Sequence, residues 1–128
     1  MSNIVDFTFA NPNKPMAPEW EDNDPITTGG SAEEIWVTLR WKPVTHNVLK
    51  DGEENPTEIS DLQGYSIWQV TSEDNFAYLG TVDKDTHEFH MTYVASLRGV
   101  NFTYMIQAEN VSGVRSDYSE RKSIIAGR

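Results

Sequence analysis

The chain has no cysteine. Disulfides, thiolate nucleophiles and thiolate metal ligation are excluded together, and no redox compartment is selected. Basic residues are scarce: 10 Lys and Arg stand against 20 Asp and Glu, a formal net charge of −10. Such a chain repels phosphate backbones and anionic bilayers unless a local patch overrides the sum. The nearest patch, Arg115, Arg121, Lys122 and Arg128, is interrupted by Asp117 and Glu120. Nucleic acid and membranes are therefore not expected as partners. Long apolar runs are missing too, and no window reaches the roughly 18 residues of a membrane span. The opening Met-Ser-Asn-Ile-Val-Asp shows neither the basic nor the apolar stretch of a signal peptide. There is no Gly-x-Ser-x-Gly elbow and no phosphate-cradling glycine loop, so no reaction is written in the motifs.

What is present is aromatic and alternating. The 128 residues include 4 Trp, 5 Tyr and 5 Phe, enough chain for one domain that buries roughly two-thirds of its unfolded surface. Residues 97–119 are the most informative. Phe102, Tyr104, Ile106 and Ala108 alternate with Asn101, Thr103, Met105, Gln107 and Glu109, the period of two that a half-buried strand requires. Asn110-Val-Ser-Gly113 supplies a turn. Turn signals and alternating runs predict further strands at about 35–42, 64–71, 76–82, 86–91 and 117–125, with a first strand near Pro15–Pro18. A long acidic connection covers 19–34, a loop without clear period covers 46–60, and Tyr93–Leu97 can form one helical turn. Seven short strands at this spacing predict an all-β antiparallel sandwich.

Leu97, Gly99, Phe102, Tyr104, Ile106, Ala108, Asn110, Gly113, Ser116 and Ser119 resemble the closing pattern of the fibronectin type III family. Trp41 followed by Lys42-Pro43, and Gly64-Tyr65 opening a strand, are similar to two further landmarks of that family. The resemblance covers roughly residues 15–125 and implies a seven-stranded fibronectin type III-like sandwich over 15–128. Phe102 stands where the family has its corner tyrosine, and the step from Leu97 is one residue short. Either that corner closes by packing alone, or the register there is displaced by a residue or two.

Residues 1–14 stand apart as an arm: Val5, Phe7 and Phe9 alternate with Asp6 and Thr8 ahead of an Asn-Pro-rich linker. The segment either pairs as an edge strand of its own domain or adds a strand to a neighbour, since an open sheet edge is a template for pairing. Trp36 and Trp68 fall on the outward phase of their strands, to be covered by the arm or to anchor a protein or sugar. Val5, Phe7, Phe9, Trp36 and Trp68 are thus the candidate interface residues. His87 and His90, three apart on a strand, face opposite sides and cannot share a metal. Asp83-Lys-Asp85 lacks the remainder of a calcium loop, and Asp51, Glu53, Glu54 and Glu58 read as a solvated acidic run. No catalytic residue, metal or cofactor is implied. The expectation is a non-catalytic structural protein, specifically a small bacteriophage virion component (tail, baseplate, collar or capsid decoration). It would assemble with other virion subunits in the host cytoplasm. The alternatives are a carbohydrate- or cell-surface-binding adhesion module and a spacer of a larger protein.

Overall fold

A computed structural model describes residues 13–128. Among these residues seven strands form two antiparallel sheets. β1 (Ile26–Gly30), β2 (Glu34–Arg40) and β5 (Glu88–Val94) make the smaller, in the order β1-β2-β5. β3 (Leu62–Ser72), β4 (Asn75–Asp83), β6 (Asn101–Asn110) and β7 (Lys122–Ile125) make the larger, in the order β4-β3-β6-β7. A single 3-10 turn at Ala95–Leu97 links β5 to β6, where one helical turn was expected.

The core lies between the inward phases of both sheets. Ile35, Val37, Leu39 and Trp41 meet Tyr65, Ile67, Tyr104, Ile106 and Ala108, all buried. Each fully buried Ile contributes about 1.5–3 kcal/mol of transfer free energy. Trp41 packs edge-on against Tyr65 at 5.5 Å. The Tyr65 hydroxyl accepts a hydrogen bond from the Val44 N–H at 2.9 Å, so the ring also ties down the chain leaving β2.

The first strand differs from expectation. Residues 15–20 make only isolated bridges, Pro15 to Asn47 and Trp20 to Trp41, because prolines 15 and 18 offer no N–H for a ladder. Among the described residues the first strand is β1, inside the segment expected to be a connection. Its Gly29 is dictated by packing: a Cβ there would lie 2.8 Å from the Trp36 ring, so glycine lets that indole lie flat across the hairpin.

Two other segments gain detail from the structure. The 46–60 segment is a loop, as expected, but its ends are tied by the His46–Glu58 bridge, with Asn47 N–H to Thr57 C=O at 2.9 Å and Ile59 N–H to Thr45 C=O at 2.8 Å. The last strand begins at Lys122, not 117. Between β6 and β7 the serines replace ladder rungs. The Ser116 and Ser119 N–H groups donate to the Ala108 and Ile106 carbonyls, each at 2.8 Å. Their hydroxyls accept from the Ala108 N–H at 2.8 Å and the Ile106 N–H at 2.9 Å. The corner at Phe102 closes by packing: its ring stacks on Tyr93 at 4.8 Å. The hydroxyl role passes to neighbours, with Tyr93 and Tyr104 sharing a hydrogen bond at 2.9 Å.

Candidate functional site

The outer face of the four-stranded sheet carries the one aromatic cluster of the described residues that combines exposure with an adjoining hollow. Strand alternation puts Ser66 and Trp68 of β3 on this face, opposite Thr81 and Tyr78 of β4. In a regular strand residues 78 and 81 would point to opposite faces. Here the pairing steps from Ile67↔Gly80 to Trp68↔Tyr78, leaving Leu79 as an extra residue. This β-bulge turns Tyr78 onto the same side as Thr81. Their hydroxyls then hydrogen-bond, while Leu79 still reaches the core and Gly80 makes room for the Phe89 ring.

Trp68 is the hub. Tyr78 meets it edge-on at 5.5 Å and Tyr118 at 5.9 Å. Phe76 continues the cluster, 5.4 Å from Tyr118, and the Arg121 guanidinium sits over its ring at 5.5 Å. Trp68 is half-buried under these neighbours, whereas Tyr78 is 56% exposed and Tyr118 37%. Met105 and Gln107 are on the outward phase of β6, yet only 3% and 8% exposed. Trp68 pairs beside Met105 in the ladder, and the Gln107 amide donates to the Ser116 carbonyl at 2.9 Å. Two buried polar atoms on this face, Trp68 Nε1 and Gln107 Oε1, have no partner among the described residues.

Beside Trp68 and Tyr78 is a hollow of about 300 Å³, lined also by Gln63, Ser66, Thr81 and the Glu109–Arg115 pair, whose charges meet at 3.1 Å. A larger open groove of about 660 Å³ runs between Met16, Trp20 and Val48 on one side and Tyr118 and Glu120 on the other. It is a seam of the fold, closed at one point by the Trp20 indole N–H donating to the Glu120 carbonyl at 2.7 Å.

Of the five predicted interface residues, the structure describes only Trp36 and Trp68. Val5, Phe7 and Phe9 lie outside the described residues. Trp36 is on the outer face of the other sheet, half-buried against His90 at 5.8 Å and against Gly29. Trp36 and Trp68 are therefore on opposite sides of the sandwich, each covered by neighbours from the main body of the chain. Tyr78, Tyr118 and Phe76 were missed. The alternation of β4 puts Phe76 and Tyr78 in one phase and so pointed at them, but the bulge and the path of residue 118 carry no sequence signal.

The other polar candidates settle into local roles. His87 packs on Tyr65 at 5.7 Å while His90 bonds Thr38 Oγ1 at 2.6 Å on the outer face. Asp83 Oδ1 accepts the Asp85 N–H and the Thr86 hydroxyl, forming a turn. Glu53 accepts the Lys50 N–H. Asn110 Oδ1 accepts the N–H groups of Ser112 and Val114, so this residue shapes the turn. No three His, Asp or Glu side chains converge among the described residues. No described helix is long and apolar enough to cross a membrane.

No family model matches the chain, and no curated protein matches it. Solved structures do. A fibronectin type III domain derived from the human KIAA0970 protein aligns with 98% of this chain and 82% of its own, at 18% identity and a TM-score of 0.54. The fold is fibronectin type III-like. The third fibronectin III domain of the human KIAA0343 protein aligns with 93% of the chain and 88% of its own, at 15% identity and a TM-score of 0.53. The glycoside hydrolase domain of Endo-D from Streptococcus pneumoniae R6 aligns with 92% of the chain at 16% identity and a TM-score of 0.55, over 16% of its own length. This fibronectin type III-like chain spans between 14% and 28% of the bacterial enzyme chains it matches.

Proposed function

We propose that the chain is a non-catalytic binding module that engages its partner through the aromatic outer face of the four-stranded sheet. One observation carries this: Tyr78 and Tyr118 stay exposed around the outward-facing Trp68. Clustered exposed aromatics mark recognition surfaces, since rigid amphipathic rings lose little entropy on contact. The charged pair beside them, Glu109 with Arg115, neutralises itself rather than presenting a free acid or base. That sandwiches of this fold form small fractions of bacterial enzyme chains is consistent with an accessory module of a larger assembly.

The test is a photo-crosslinking side chain placed at position 78, with position 94 on the other sheet as control, in the cells that express the protein. A specific adduct from 78 and none from 94 is expected. Adducts equally from both positions, or none from 78, would overturn the proposal. The narrower role, a structural component of a bacteriophage virion, is supported by the alternation of Val5, Phe7 and Phe9 in the arm. Deletion of residues 1–14 would then abolish assembly while leaving the sandwich folded; unchanged assembly would remove that role.

A further inference from the structure

We infer that the hollow between Trp68 and Tyr78 is a subsite for one ring of a neutral oligosaccharide. The inference rests on the binding-module proposal and gives it a ligand class. A pyranose ring has an apolar C–H face and a rim of hydroxyls that both donate and accept hydrogen bonds. The hollow matches both halves. Trp68 and Tyr78 form aromatic walls suited to the C–H face. The Ser66 and Thr81 hydroxyls and the Gln63 amide can each donate and accept, Arg115 donates and Glu109 accepts.

Charge narrows the class. Glu109 and Arg115 cancel at 3.1 Å, so the lining has no net charge with which to select an ion. The net charge of −10 repels uronic or phosphorylated sugars at longer range. Size narrows it further, since about 300 Å³ is at the small end of ligand pockets and holds one ring rather than a folded peptide. The aromatic cluster runs on through Tyr118 to Phe76, a platform for the next rings of a chain.

The experiment titrates the full chain with cellotetraose, chitotetraose, maltotetraose and xylotetraose, followed by Trp fluorescence and by amide chemical shifts. At least one tetrasaccharide is expected to saturate, with shifts concentrated on 63–68, 78–81 and 107–118. Tyr78→Ala and Arg115→Ala, both at exposed positions that leave the core intact, should each weaken binding at least about tenfold. Affinity should change less than about twofold on raising salt, as a neutral ligand requires, and polygalacturonate should not bind. No saturable response from any of the four up to about 10 mM, or a response that survives both substitutions, would overturn the inference. Silent sugars with a protein adduct from position 78 would refute the sugar and keep the binding module. Silent sugars with no adduct would refute both.

Discussion

Replacing Ser119 with alanine is expected to cost more than a surface serine should. Its hydroxyl accepts the Ile106 N–H at 2.9 Å, and Ile106 is fully buried in the middle of β6. Water cannot reach that amide, so the substitution leaves a buried donor unsatisfied, at about 1–3 kcal/mol. At this chain length each kcal/mol moves the melting temperature by roughly 4 °C, giving a fall of about 4–12 °C. Ser116→Ala repeats the experiment at Ala108, whose N–H donates to Ser116 Oγ at 2.8 Å. The double variant should fall short of the sum, because both serines hold one short segment and releasing it once loosens both contacts. Thermal and urea unfolding give the stability, and hydrogen exchange at the Ile106 and Ala108 amides locates the loss. Tyr118 lies between the serines and against Trp68, so the same variants should shift the Trp emission. Ser119→Thr keeps the hydroxyl and should restore much of the stability. A loss below about 0.5 kcal/mol with the Ile106 amide still protected would refute the reasoning.

Three further outcomes are expected. Gly64→Ala should destabilise by about 1–3 kcal/mol or more, since its Cβ would lie 2.2 Å from the Val82 carbonyl oxygen across the β3–β4 ladder; an unchanged urea midpoint would disprove it. Burial raises the Tyr65, Tyr93 and Tyr104 phenols above their ordinary value. The folded chain then holds these protons longer than the unfolded one, so their contribution is intact below about pH 10 and is lost as pH rises beyond it. The urea midpoint should fall between pH 10 and 12, less steeply in Tyr104→Phe, and a flat profile would contradict this. Asp117→Ala breaks the Lys14–Asp117 pair at 2.8 Å, but both partners are exposed, so a change under about 0.5 kcal/mol is expected; a larger loss in urea would show that this contact anchors residues 13–14.

The local pattern carried much of the architecture. Period-two alternation at 35–42, 64–71, 76–82 and 101–109 placed β2, β3, β4 and β6 to within a few residues, because the pleat forces side chains to alternate whatever the partner strand. Ser116 and Ser119 were legible as pattern positions, but their work, closing rungs on β6 with side-chain hydroxyls, shows only when two distant segments meet. β1 was hidden in residues 19–34 because its Ile-Thr-Thr-Gly-Gly has little apolar content, and Gly29 makes sense only under the Trp36 ring.

The candidate site divides the same way. By itself the sequence determined that Trp68 points out of β3 and Trp36 out of β2, since the phase of a strand fixes which side chains share a face. It could not say that these faces are on opposite sides of the molecule, because which sheet a strand joins depends on long-range pairing. It could not bring Tyr78 and Thr81 together either, since that needs the extra residue Leu79 in a register set by β3. Nor could it bring Tyr118 onto Trp68, which follows from an irregular segment pinned to β6 by two serines. Phase is a local property of covalent geometry. Register, bulge and neighbourhood are decided by packing between segments far apart in the chain, and there the tertiary structure assembled the site.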